Sequence, residues 1–111
     1  MTKQEQYKLK FEKINTPIKR VMCTCRQMQV TNDSIYLCRL LDDISDKSPQ
    51  YLLNEINNAL INGSYEEYFE PDGSLESVRI NPPNAIVNEN YTITLTDLRE
   101  LLIEWITFCD S

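Results

Sequence analysis

One hundred and eleven residues make one domain, 1–111, with room for a thin core and none for a second domain. With 41% hydrophobic and 25% charged residues, two glycines and five prolines, the chain reads as globular and not disordered. A net charge of −6 disfavours nucleic acid and anionic membrane, and the absence of histidine removes the commonest general base and metal ligand.

Residues 3–14 fit two patterns. Tyr7, Phe11 and Ile14 have helical spacing, whereas Tyr7, Leu9 and Phe11 alternate with polar residues as in a strand. The glutamines and lysines favour the helix. Asn15-Thr16-Pro17 reads as a helix start, and Ile18, Val21, Met22, Cys25 and Met28 continue at three-four spacing. Thr31 to Ser34 offers a cap for a helix carrying Ile35, Leu37, Cys38, Leu41 and Ile44, ending near Asp46. Ser48-Pro49 opens the next helix. Its apolar face is Leu52, Leu53, Ile56, Ala59 and Leu60, and Gly63 is its stop.

The pattern then shifts to strands. Tyr65 to Phe69 is aromatic-rich, Glu70-Pro71-Asp72-Gly73 reads as a type I turn, and Val78 and Ile80 alternate as the return arm of a hairpin. Asn81-Pro82-Pro83-Asn84 is expected to interrupt the ladder. Residues 85–87 form a short strand, 88–90 a turn, and Tyr91, Ile93 and Leu95 a half-buried strand. Thr96 or Asp97 caps a last helix whose apolar stripe is Leu98, Leu101, Leu102, Trp105, Ile106 and Cys109. The fold class is α+β: N-terminal helices, a small antiparallel sheet, and a C-terminal amphipathic helix packed on the sheet.

Charge is unevenly placed. Residues 1–26 hold seven bases against Glu5 and Glu12, a balance of +5; residues 27–111 hold four bases against fifteen acids, a balance of −11. Lys8, Lys10, Lys13, Lys19 and Arg20 with Tyr7 and Phe11 make a basic-aromatic stretch, but the acidic remainder opposes phosphate, so it reads as a solvated face. Glu100 and Glu104 are like charges one helical turn apart, against the local rule. Nine acids (Asp42, Asp43, Asp46, Glu55, Glu66, Glu67, Glu70, Asp72 and Glu76) face only Lys47 within 42–76. That is enough for a local field of one sign.

Little in the chain supports chemistry. Gly63 and Gly73 are the only glycines, so no phosphate loop exists, and no histidine can activate a serine or cysteine. Asp42, Asp43 and Asp46 lack the glycine and glutamate of a calcium loop. Cys23, Cys25, Cys38 and Cys109 do not form the two C-x2-C pairs of a zinc site, and the polar N-terminus has no export signal. They read as free, partly buried thiols in a cytoplasmic protein. The Asn-x-Ser/Thr triplets at Asn32, Asn62 and Asn90 carry no glycosylation meaning without export. No enzyme and no cofactor are expected.

The stretch Tyr91-Thr92-Ile93-Thr94-Leu95-Thr96-Asp97-Leu98-Arg99-Glu100-Leu101-Leu102-Ile103-Glu104-Trp105-Ile106-Thr107-Phe108, a short strand entering an amphipathic helix with a Trp, resembles the ending of small bacterial immunity proteins. These neutralise polymorphic or contact-dependent growth-inhibition toxins. The resemblance covers about twenty residues and implies a cytoplasmic inhibitor of a toxin domain, often a basic nuclease. It brings no site residues with it. On charge grounds the expected partner face is Asp42, Asp43, Asp46, Glu66, Glu67, Glu70, Asp72 and Glu76, meeting a basic protein surface. The competing reading is a small acidic secretion chaperone or adaptor, which would expose an apolar groove instead.

Overall fold

The computed structural model describes residues 2–15, 17–18, 21–44, 49–70 and 76–110. Its elements are α1 (Lys3–Gln6), β1 (Leu9–Asn15), β2 (Val21–Gln27), α2 (Asn32–Ile44), α3 (Pro49–Leu60), β3 (Tyr68–Phe69), β4 (Val78–Asn81), β5 (Asn84–Val87), β6 (Tyr91–Thr94) and α4 (Leu95–Asp110). Strands β1 and β2 form a two-stranded antiparallel sheet, and β3-β4-β5-β6 form a four-stranded antiparallel meander in sequence order.

Two expectations near the N-terminus are corrected. Helix covers only Lys3–Gln6, where Thr2 and Glu5 make a reciprocal capping box, and the chain turns at Lys8 (φ 61°) into β1. The helix expected from Pro17 to Met28 is instead β2, paired with β1 from Asn15↔Val21 to Leu9↔Gln27. The three-four spacing of Val21, Met22 and Cys25 misled because Met22 faces outward. The inward set is Cys23 and Cys25, at the strand period of two, facing α2 and α4 beside Phe11 of β1.

Helix α2 begins as expected. Thr31 Oγ1 accepts the Ser34 N–H (2.9 Å) and Ser34 Oγ accepts the Thr31 N–H (2.9 Å), which satisfies the buried Ser34. Helix α3 ends at Leu60, and the left-handed turn after it comes one residue before the expected glycine stop. Asn62 takes the left-handed turn (φ 60°), and the Gly63 N–H reaches back to the Asn58 carbonyl (2.8 Å). A Cβ on Gly63 would sit 3.3 Å from that oxygen.

In the meander, Tyr68↔Arg79 and Phe69↔Val78 bear out the first hairpin, though β3 is shorter than 65–69; its expected turn lies largely outside the described residues. Pro82-Pro83, with a cis peptide bond, does not interrupt the ladder. It is the two-residue connection between β4 and β5, joined by Asn81↔Asn84. Asn88 and Glu89, both with positive φ, turn β5 into β6.

Leu95 leaves the strand pattern and starts α4, and the cap is Thr94, whose Oγ1 accepts the Asp97 N–H (3.2 Å), not Thr96 or Asp97. Helix α4 then lies against β5 and β6, with α3, α1 and β1 around it. Leu98, Leu101, Leu102 and Trp105 are buried, while Ile106 and Cys109 are half-buried. Trp105 is 1% exposed and meets Phe11 edge-on with centroids 4.9 Å apart. Helix α2 lies against β2 and β6, where Tyr36 stacks on Tyr91 and the Tyr91 hydroxyl donates to Asp33 (2.6 Å).

The acids of α4 that broke the local rule are answered by the chain's own N-terminus. The Glu104 carboxylate accepts the Lys3 N–H (2.8 Å) and the Gln4 N–H (2.9 Å), and Lys3 Nζ reaches Asp97 (3.0 Å) and Glu100 (3.6 Å). The Tyr7 hydroxyl also donates to Asp97 (2.5 Å). Part of the basic segment therefore fastens α1 to α4.

Candidate partner-binding face

The acidic residues singled out by charge divide into two places. Asp42 and Asp43 are on the last turns of α2. One Asp42 oxygen accepts the Cys25 N–H (2.8 Å) and the Thr24 hydroxyl (3.3 Å), so Asp42 helps to fasten β2 to α2. Burial pushes the Asp42 carboxyl above its usual range, with those two donors acting the other way. Asp43 is half-buried beside it. Asp46 and Asp72 lie outside the described residues. Glu76, before β4, is half-buried and accepts from the Asn88 side-chain amide.

Glu66, Glu67 and Glu70 are exposed beside and just beyond β3, the outer strand of the meander. Helix α2 touches β6, at the other edge. Three strand spacings of about 4.8 Å separate those edges, roughly 14 Å. Among the described residues, Asp42 and Asp43 thus belong to the α2–β2 side and Glu66, Glu67 and Glu70 to the β3 edge.

What the structure gathers around Glu66 is an aromatic and acidic face. Tyr51 and Glu55 sit one turn apart on α3, and the chain beyond Asn62 runs back past them as an extended segment. The Glu66 N–H donates to Glu55 (3.3 Å), and the Tyr51 ring lies against Phe69, centroids 6.0 Å apart. Hydrogen bonding to Glu66 is the main reason the Tyr51 phenol titrates above its usual range; burial and the Glu55 charge add to it. Phe69 is the buried anchor of β3, which leaves Tyr68 outward and 55% exposed. Tyr65, Tyr51 and Ile61 are exposed too. Across the ladder Arg79 forms its ion pair with Glu89 (3.1 Å).

Charge alone did not single out Tyr51, Tyr65, Tyr68 and Ile61. The run Tyr65-Glu66-Glu67-Tyr68-Phe69-Glu70 was the available signal, since a strand built on one buried Phe must present its neighbours Tyr68 and Glu70 outward.

A concavity of about 420 Å3 lies near the N-terminus, lined by Thr2, Gln4, Glu5, Lys8, Leu9, Lys10 and Met28. Its one carboxylate, Glu5, is held below the usual carboxylate range by the Thr2 N–H and hydroxyl, which makes it a weak base. Among the described residues no three Cys, Asp or Glu side chains converge as a metal site, and no helix is long and apolar enough to cross a membrane.

No family model matches the chain, and no curated protein or solved structure shows significant similarity to it.

Proposed function

We propose that this chain is an immunity protein: a stoichiometric inhibitor that covers a basic site on a cognate toxin domain in the cytoplasm, without chemistry of its own. The observation that carries this reading is the face of Tyr51, Tyr65 and Tyr68 set among Glu55, Glu66, Glu67 and Glu70. No Lys or Arg occurs between Lys47 and Arg79 to dilute its field. Carboxylates steer a basic partner and set register, while tyrosines supply contact area at low entropic cost. The resemblance of residues 91–108 to immunity proteins points the same way. Asp42, Asp43 and Glu76 are assigned to the periphery of this interaction, because Asp42 and Glu76 already hold neighbouring backbone or side chains.

The test takes as partner a toxin-like C-terminal domain, to be sought in a large secreted protein encoded next to this chain. Changing Glu66, Glu67 and Glu70 together to lysine is expected to slow association at least tenfold at low salt, with a smaller effect at high salt, and to abolish protection of cells. Tyr68→Ala is expected to act mainly on dissociation. Full protection by a folded triple-lysine variant, with an unchanged association rate, rules this face out.

A secretion adaptor is the second reading, favoured by one observation. The outer face of the β1–β2 hairpin exposes Ile14 and Met22, and the chain after it exposes Met28 and Val30. Binding that survives high salt and is lost in Met22→Asp would favour the adaptor over the inhibitor.

A further inference from the structure

The four cysteines, scattered in sequence, meet in the fold as two thiol pairs. Cys23 and Cys25 point inward from the same face of β2. Cys25 meets Cys38 of α2 with its Sγ 3.1 Å away, and each residue is only 5% exposed. Cys23 is hydrogen-bonded to Cys109 of α4. All four are free thiols. Because a disulfide needs about 2.05 Å between sulfurs, closing the first pair takes a movement of about 1 Å. The backbone there is already held, since Asp42 of α2 accepts the Cys25 N–H at 2.8 Å.

We propose that Cys25 and Cys38 form a peroxide-sensitive dithiol that interconverts with a disulfide joining β2 to α2. The hydrogen bond between the two sulfurs, which either can donate, favours Cys38 as the attacking sulfur. It lowers Cys38 below the usual thiol range against burial and the Asp42 charge, and it raises Cys25 together with burial. Burial, then the Cys23 hydrogen bond, push Cys109 up to about 12, so Cys109 is no comparable nucleophile at neutral pH. A hydroperoxide is the oxidant of suitable size for sulfurs so enclosed.

The Cys38 thiolate attacks one peroxide oxygen. The O–O bond breaks, hydroxide leaves and becomes water with a proton from solvent, and Cys38 becomes a sulfenic acid. The Cys25 sulfur then attacks the Cys38 sulfur. The S–O bond breaks, and the departing hydroxide takes the Cys25 proton as a second water. Two electrons pass from the two sulfurs to the peroxide. An added dithiol reverses the bridge by exchange, becoming oxidised itself.

The experiment needs no toxin, so it stands or fails apart from the inhibitor reading. Reduced full-length protein and its Cys23→Ser variant are titrated with hydrogen peroxide, alkylated under denaturing, non-reducing conditions and cut with trypsin. Cleavage after Arg26 separates Cys25, in residues 21–26, from Cys38, in 27–39. A linked pair of these peptides is expected in both proteins, lost on adding dithiothreitol. The melting temperature of the oxidised form should be higher by about 5–10 °C. In Cys25→Ala, dimedone should trap a sulfenic acid on Cys38. Alkylation of every cysteine at peroxide levels that oxidise glutathione overturns the proposal. Linkage of Cys38 only to Cys23, or oxidation that stays at Cys109, does so as well. Where Cys25→Ala does not fold, the linkage map in the wild-type and Cys23→Ser proteins decides.

Discussion

The two sheets of this protein are built on opposite terms. The meander has its inward face filled throughout: Val78, Ile80, Ala85, Val87, Tyr91 and Ile93 are all buried. The β1–β2 hairpin is filled only at one end. Leu9, Phe11 and Cys25 are buried, but the burial of β1 fades toward Asn15, and Val21 and Met22 opposite it are exposed. The meander is held by continuous apolar contact, whereas the hairpin is held by particular attachments: Phe11 on Trp105, Asp42 on the Cys25 N–H, and the thiol pairs. The lesson is that a sheet spanning the core tolerates no single large deletion, while a partly docked hairpin depends on a few polar and aromatic fastenings.

Trp105 serves both regions and gives the largest expected effect. Trp105→Ala should cost about 3–5 kcal/mol, the range for a fully buried large aromatic, read as a fall in melting temperature and denaturant midpoint. Its Nε1 is buried with no hydrogen-bond partner among the described residues, so Trp105→Phe, which keeps a ring and removes that donor, should cost far less. Equal losses in the two variants would mean that the N–H matters and the ring volume does not.

Asp42 tests the hairpin's polar fastening. Asp42→Ala leaves the Cys25 N–H without its acceptor and should cost about 1–2 kcal/mol. Asp42→Asn should cost little, because its amide oxygen can still accept. The sign with pH follows from burial. The Asp42 carboxyl titrates higher in the folded protein than in the unfolded chain, so its contribution is greatest below the unfolded value and declines as pH rises through the folded one. Asp42→Asn should therefore lessen that decline. A variant that melts like wild type in both forms would remove Asp42 from the comparison.

Asp97 sharpens it from the other side. Burial raises its carboxyl, but the Tyr7 hydroxyl and Lys3 outweigh this, and it titrates below the usual value. Its stabilising contribution is present above the unfolded pKa of about 3.9 and is lost as pH falls through the lower folded value. Asp97→Asn should flatten the acid limb of the stability curve. It should cost under about 1 kcal/mol at neutral pH, as for other partly solvated pairs.

The same contrast governs what could be read from sequence. The α3 face, apart from the exposed Leu60, and the α4 stripe were legible because apolar positions repeat over successive turns against one surface. The β3–β4 hairpin was legible through alternation and turn residues. The β1–β2 hairpin was not. Where only part of a strand is buried, Val21, exposed at the open end, and outward Met22 counterfeit a helical period with Cys25. The thiol pairs were hidden for another reason. Cys38 and Cys109 find their partners only when α2 and α4 close on β2, a tertiary event that local spacing does not encode. Of the partner face, the acids were visible as a charge imbalance. The tyrosines became visible only once Phe69 fixed which side of β3 points outward.

The smallest expected effect tests the comparison most directly. Met22 and Ile14 are opposite one another in the register of β1 and β2, both at the exposed end of the hairpin. If that end adds little to the core, Met22→Ala should change stability by no more than about 0.5 kcal/mol, as exposed substitutions usually do. Helix content should not change. Cys25→Ala, three residues along the same strand but at the docked end, should cost more, because it removes a buried sulfur and the contact with Cys38. Equilibrium urea unfolding of both variants, followed by Trp105 fluorescence, measures the difference. The core surrounds Trp105, so a hairpin that unlatches alone would appear as a changed slope, not a shifted midpoint. A Met22→Ala loss as large as that of Cys25→Ala would mean that the whole hairpin is packed in solution and that its outer face is already covered.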